Sequence, residues 1–338
     1  MEGVGLRALD YAAVTERVAL RVARLEGSGD AERAYTLAAE TFREELAGMP
    51  VGGRVALLRE QHVDEQGRAR PLKKKEGDPH TLRAGDVVGS GEVRVDLAVE
   101  PVEGLSLLVK GQQGAISAVA AAPEGTMLRT PDMYMSKLIV GPRARGHIDI
   151  DAPAAENVEA IAAALGRRAS EITVVVLDRD RHRELIDEIR RTGARIHMRP
   201  EGDLTPSIAV GLRDSDVHAV IGIGGAPEGV LAAAVVKCLG GEIQARMWPV
   251  NRAQVERLRE YGLGDPERKL TTDDLIRGDD VVFAATGLTS GETLEGVRYF
   301  RGGGRTHTVV MSTRPRMIRF VDTIHALEPD AGLQGFQR

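Results

Sequence analysis

A chain of 338 residues with 45 Lys and Arg against 50 Asp and Glu carries a formal charge of −5 and is long enough for one or two domains around a large core. With 42% hydrophobic and only 3% aromatic residues it is no disordered tail, and it lacks the basic face or stacking platforms of a dedicated nucleic-acid binder. The single cysteine, Cys238, rules out an intrachain disulfide or a CxxC site, and no apolar run approaches the roughly 18 to 20 residues that span a bilayer, so the reading is a cytoplasmic protein with no membrane partner.

Apolar spacing predicts helices over residues 10–25 and 31–46, parted by the helix stop and N-cap signals of Gly27-Ser28-Gly29-Asp30. A short strand over 54–58 follows. Residues 66–80 are polar, turn-rich and hold five basic side chains, which reads as a solvated loop. Strands are expected over 93–99 and 115–121. From residue 151 the pattern alternates: helix 156–165, strand 172–177, helix 181–191, strand 195–198, helix 204–212, strand 219–223 and helix 227–239. Such alternation favours an α/β fold with a sheet covered by helices. Polar residues 251–277 interrupt it before strands near 281–285, 308–311 and 317–321. A soft boundary falls near residue 150, giving halves 1–150 and 151–338.

The strongest local signal is Gly222-Ile223-Gly224-Gly225-Ala226-Pro227-Glu228, a strand running through glycines into a helix. Glycines let backbone N–H groups approach an anion at the helix N-terminus, where the dipole favours negative charge. Pro227 stands where a dinucleotide fingerprint needs its third glycine, and the Lys-Ser/Thr of a P-loop is missing. Glu228 either complements the helix dipole or holds a divalent cation. A second cluster, Glu100-Pro101-Val102-Glu103, ends a strand in two acids that can share a hard cation with Glu60 or Asp64, or simply be solvated. None of the eight histidines makes an HExxH pattern, so an oxygen-ligated metal is favoured over zinc. Arginine forks that suit phosphate oxygens gather at Arg179 and Arg181, beside His182, and again at Arg314, Arg316 and Arg319. For both groups the plain alternative is solvated surface. Pro131-Asp132-Met133-Tyr134-Met135-Ser136-Lys137 places an acid, a tyrosine and a lysine in a turn ahead of Leu138-Ile139-Val140, with a packed Met/Tyr turn as the plain alternative.

Together these stretches resemble the class II fructose-1,6-bisphosphatases, the bacterial type of the lithium-sensitive, metal-dependent sugar phosphatases. PDMYMSKLIVGP (residues 131–142), AAALG (162–166), GIGGAPEG (222–229) and ATGLT (285–289) carry the resemblance, which extends over about residues 10–325. It implies a layered αβαβα sandwich, hydrolysis of the 1-phosphate of fructose 1,6-bisphosphate or a related sugar bisphosphate with Mg or Mn, and a homo-oligomer, dimer or tetramer. By matching positions, Tyr134, Arg179, Arg181, Asp203, Gly224 and Gly225 would hold the phosphorylated sugar. Glu60, Glu100, Glu103 and Glu228 would be metal ligands, with Asp64 and Glu103 in catalytic roles.

This chain departs from the family's words at three places. Where GDKNTADGAA supplies a ligand aspartate, Tyr35 stands. GEGEIDEAP has become Arg59-Glu60-Gln61-His62-Val63-Asp64-Glu65-Gln66-Gly67. VDPIEGT reads Val99-Glu100-Pro101-Val102-Glu103-Gly104-Leu105, which lengthens one carboxylate by a methylene, about 1.5 Å, and puts leucine where a threonine would orient water. Leucine can make no such hydrogen bond. The phosphate-gripping half is kept and the hydrolytic half is eroded, so turnover below the family's is expected. A non-catalytic sugar-phosphate sensor and altered chemistry on a phosphosugar remain as alternatives.

Overall fold

The computed structural model describes residues 8–58, 61–63, 69–71, 82–212 and 214–326. Glu60 and Asp64 lie outside the described residues, as does the basic loop apart from 69–71.

Two amphipathic helices open the chain, α1 (Ala8–Val22) and α2 (Ala31–Ala47). Asp30 caps α2 by accepting from Arg33 N–H at 2.9 Å. Next come β1 (Gly52–Leu58), β2 (Gln61–Val63), β3 (Ala69–Pro71), β4 (Val87–Val88), β5 (Arg94–Glu103) and β6 (Ile116–Pro123), with α3 (Leu105–Val109) between the last two. The alternating stretch holds β7 (Tyr134–Val140), α4 (Ala154–Leu165), β8 (Thr173–Leu177), α5 (Arg183–Arg191), β9 (Arg195–Arg199), α6 (Leu204–Ala209), β10 (Ala219–Gly225), α7 (Ala226–Leu239) and β11 (Glu242–Trp248). Then follow α8 (Arg252–Glu260), β12 (Leu270–Thr271), α9 (Thr272–Leu275), β13 (Val282–Gly287), β14 (Arg298–Phe300), β15 (Gly303–Thr313) and β16 (Arg316–Ala326).

One sheet runs β14-β15-β13-β6-β5-β1-β4, with β16 also paired to β15, and a second runs β12-β11-β7-β10-β8-β9. Strand alternation sorts their side chains into three apolar layers. On one face of the first sheet Val95, Leu97, Val99, Val119 and Val282 pack with Tyr11, Val18, Ala38 and Phe42 of α1 and α2. Its other face, through Ala98, Ala118, Ala120 and Phe283, shares a cluster with α7 and with Met135, Ile139 and Ile243 of the second sheet. The far face of that sheet, Leu138, Val140, Val174 and Val176, is covered by Val158, Ile161, Ile186 and Ile189 of α4 and α5. The order is αβαβα. Helix α7 explains itself: Val230–Val236 is apolar on every side, and such a helix is stable only when enclosed, here between two sheets.

Several boundaries differ from expectation. The strand expected over 93–99 continues to Glu103 and is followed by the short helix α3, where no element was predicted. Tyr134 starts β7 rather than standing in a turn before it. The helix expected from residue 181 begins at Arg183, because 180–182 form a 3-10 turn that leaves Arg179 and Arg181 off the helix. The final two strands run longer than predicted, and residues 251–277 hold α8, β12 and α9. The sheets also interleave along the chain: β7 precedes residue 150 yet belongs to the second sheet, while β13 to β16 belong to the first. Residue 150 therefore marks where the alternation starts, not a border between sheets.

Candidate active site

Strands β8, β9 and β10 are parallel to their neighbours in that set, while β7 runs antiparallel to β10, pairing Tyr134 with Gly225. Their carboxyl ends and the start of β7 therefore share one sheet edge, the position where open α/β sheets place their ligands. Arg179, Arg181, Asp203, Gly224, Gly225 and Tyr134 all lie there.

Arg181 stacks its guanidinium 4.6 Å from the Tyr134 ring centroid and donates from Nη2 to Ile223 O at 2.7 Å. Its Nε is buried with no protein partner. Arg179, half-buried, donates from Nη1 to the neighbouring Asp178 O at 2.8 Å. Both guanidiniums keep donors free for an anion. Arg314, Arg316 and Arg319 are exposed in the β15–β16 hairpin, in keeping with the solvated alternative.

His182 ties this arginine turn to the glycine loop. Its Nε2 accepts from Ile223 N–H at 2.7 Å, so the ring proton is on Nδ1, which donates to Leu177 O at 2.7 Å. Burial holds its pKa below the usual range, with the Arg181, Arg179 and Lys137 charges adding to the effect. Gly222, at φ +146, passes close enough that a Cβ there would meet His182 Nε2 at 3.1 Å. The unfolded chain protonates this imidazole near its ordinary value of 6.5, whereas the folded one stays neutral to lower pH. Its stabilising contribution is thus complete above pH 6.5 and lost as pH falls toward the depressed value. Glu103 has the opposite sign, so the comparison must be with a variant. In urea titrations, the stability gap between the natural chain and His182→Gln is expected to narrow on going from pH 7.5 to pH 5. A gap independent of pH would remove His182 from this role.

The acids come from the other sheet. In β5 the three-residue step from Glu100 to Glu103 is matched by only two residues of β6, from Ala118 to Ile116. This bulge puts both glutamates on one face, although i and i+3 in a regular strand would oppose one another. Both are buried. Glu103 accepts from Asp203 N–H at 3.0 Å and Leu204 N–H at 2.8 Å through Oε1, and from Thr205 N–H at 3.3 Å and Thr205 Oγ1 at 3.4 Å through Oε2. It caps the first turn of α6. Burial pushes its carboxyl up to about 7, helped by Asp203 and Glu228 and opposed by the Leu204 N–H and Arg199. Ser106, in α3, fastens to Glu201 with Oγ at 2.6 Å, a second link between the sheets.

Lys137 lies at the centre. Its ammonium pairs with Asp203 Oδ2 and donates to Gly225 O at 3.1 Å, with both side chains buried. A Cβ on Gly224 would overlap Asp203 Oδ2, and one on Gly225 would overlap the Glu228 carboxylate, which folds back over the start of α7. Side chains are excluded from this loop so that backbone can approach the acids and the lysine. Lys137 and His182 were not among the predicted binding residues. The signal for Lys137 was available, because Met135 and Ile139, two residues either side of it, are core-facing, and a lysine in that register needs a buried counter-charge.

Glu100, Glu103 and Glu228 are hard oxygen donors suited to Mg or Mn. Even so, among the described residues no three acids or histidines stand together closely enough to hold an ion, and four donors already engage Glu103. The described residues do not make a metal centre by themselves. Tyr35 and Leu105 are 5% and 6% exposed and belong to the apolar cluster under α1 and α2.

An αβαβα sandwich with arginines, a glycine loop and buried acids at one strand edge defines a class of proteins built to hold a small anionic ligand. A family model described as bacterial fructose-1,6-bisphosphatase, glpX-encoded, matches residues 6–325, and the chain belongs to this family. It is 38% identical over 335 residues, 94% of each chain, to a protein of a Synechococcus species named D-fructose 1,6-bisphosphatase class 2/sedoheptulose 1,7-bisphosphatase. Relatives of the same name from Synechococcus elongatus and Synechocystis are 36% and 34% identical, over 95% and 96% of this chain and 96% and 98% of theirs. The resemblance read from the sequence is thereby confirmed.

Proposed function

We propose that the chain removes the 1-phosphate of fructose 1,6-bisphosphate, and the corresponding phosphate of sedoheptulose 1,7-bisphosphate, at this strand edge. The observation that carries this reading is the convergence of Arg179, Arg181 and the Gly222–Gly225 backbone, held in register by neutral His182. Guanidinium forks take phosphate oxygens bidentately, and a helix N-terminus adds its partial charge. Tyr134 keeps Arg181 planar against its ring, and Asp203, anchored by Lys137, presents a carboxylate edge to sugar hydroxyls. Family membership and the shared name of the relatives support hydrolysis over a binding-only role.

The family depends on metal in general, and Mg or Mn is the ion proposed here. The described residues complete no metal centre, so no step of the reaction is assigned to one. Among the described residues no helix is long and apolar enough to cross a membrane. A cytoplasmic homo-oligomer, dimer or tetramer, completes the proposal.

Phosphate release from either bisphosphate, with Mg or Mn added, tests it. Arg181→Ala is expected to lower kcat/KM by about a hundredfold, the worth of a charge-assisted bidentate contact. Absence of phosphate release from both sugars, or an Arg181→Ala variant as active as the natural chain, would overturn the reading.

A further inference from the structure

The edge of the second sheet opposite the glycine loop carries a separate cavity of about 580 Å³, within the usual range for small-molecule sites. Strand β7 and helix α4 both end beside it, and His218 stands there just ahead of β10. The length of β10, about 20 Å, separates His218 from Gly225, more than one sugar bisphosphate can span.

His218 is only 8% exposed, and its Nδ1 accepts from Thr173 N–H at 3.0 Å, so the ring proton is on Nε2. Arg167 Nη1 lies 2.8 Å from that same Nε2. A guanidinium has no acceptor atom, so two donors meet at hydrogen-bond distance and neither can receive the other's proton. Burial holds the imidazole pKa below its usual value, with the Arg167 and Arg195 charges adding to the effect and Asp216 opposing it. Arg143 brings a third donor group: its Nη2 donates to Leu165 O at 2.8 Å, at the end of α4 beside Arg167. The acids that feel these charges do not answer them. Glu171 is engaged by Arg168 at 3.1 Å, and Asp216 is exposed. One anion oxygen accepting from Arg167 and His218 together turns their repulsion into two bonds, at least one of them charge-assisted. Three donor side chains match the three terminal oxygens of a phosphate monoester, where a carboxylate has two. Leu165, Val210 and Leu212 line the rest of the cavity with apolar surface that suits a short organic body.

We propose that this cavity is a second binding site, for a small phosphate monoester whose phosphate lies on Arg143, Arg167 and His218 and whose body lies against Leu165, Val210 and Leu212. It is separate from the strand edge that holds Arg179 and Arg181.

The test uses phenyl phosphate as the probe, without divalent metal so that nothing is hydrolysed. Calorimetry compares Arg181→Ala, which weakens the strand edge, with the double variant Arg167→Gln/Arg181→Ala. The first is expected to bind the probe, and adding Arg167→Gln is expected to weaken that binding about tenfold to a hundredfold. Thermal melts of the natural chain and Arg167→Gln need no change at the strand edge. In phosphate-free buffer Arg167→Gln is expected to melt no lower than the natural chain, since the glutamine oxygen can accept from His218 Nε2–H. Phenyl phosphate should then raise the melting temperature of the natural chain more than that of the variant. Probe binding that Arg181→Ala abolishes, or that Arg167→Gln leaves unchanged in the Arg181→Ala chain, would overturn the second site and leave the strand edge as the only place for the anion. A variant Arg167→Gln that melts below the natural chain in phosphate-free buffer would also count against it, by showing that Arg167 and His218 support each other without an anion.

Discussion

Lys137→Met is expected to lower stability by about 3–5 kcal/mol, the cost of leaving the buried Asp203 carboxylate without its counter-charge. The loss is not a matter of volume, since methionine fills nearly the same space among Met135, Ile139 and α7. It arises because Asp203 is fixed beside Glu103, so without the lysine the two buried acids face each other without the ammonium that now lies on Asp203. Urea titrations at pH 8 measure the loss. Adding Asp203→Leu to Lys137→Met is expected to recover most of the stability, as buried ion pairs replaced by apolar residues commonly do. Sugar-phosphate binding should not return with it, because the carboxylate edge is gone. A single Lys137→Met variant as stable as the natural chain at pH 8 would show that the pair is not the keystone of this edge.

How much of this was legible beforehand follows from which residues speak through spacing. Helices α1, α2 and α7 and the strands of the alternating stretch announce themselves, because each buries a face whose period can be counted. Arg179, Arg181 and the glycine loop were legible as candidates for phosphate binding, because glycines let backbone N–H groups approach an anion and arginines fork onto its oxygens. The contents of the centre were not. Glu103 looks like a metal ligand in sequence, yet its oxygens are turned to the first N–H groups of α6, a partner a hundred residues away. No local pattern encodes that meeting. The bulge that puts Glu100 and Glu103 on one face is equally silent, since it is defined by the registry of β6. His182 was visible beside the arginines, but its role depends on Ile223, which only the sheet brings near. Tyr35 and Leu105 were singled out as losses of polar function, and the structure adds that the same apolar cluster holds both.

That shared cluster makes the pair testable together. Tyr35→Asp combined with Leu105→Thr restores the two residue types that the family pattern carries at these positions. Both side chains are nearly enclosed, among Phe42, Val102 and Leu108, so a new carboxylate there meets no water. In metal-free solution the double variant is expected to lose at least about 3 kcal/mol, from the buried charge and the removed ring. By the family pattern, the same carboxylate would supply the hard donor that Tyr35 replaces. Adding Mn should therefore return stability to the variant by mass action, about 2.7 kcal/mol at a free concentration one hundred times its Kd, while shifting the natural chain less. Thermal melts with and without Mn measure this separately from turnover, which is expected to rise in parallel when phosphate release is followed. A variant that melts lower and gains nothing from Mn would show that Tyr35 and Leu105 are only packing residues. The eroded hydrolytic half would then have to be sought among the other altered acids.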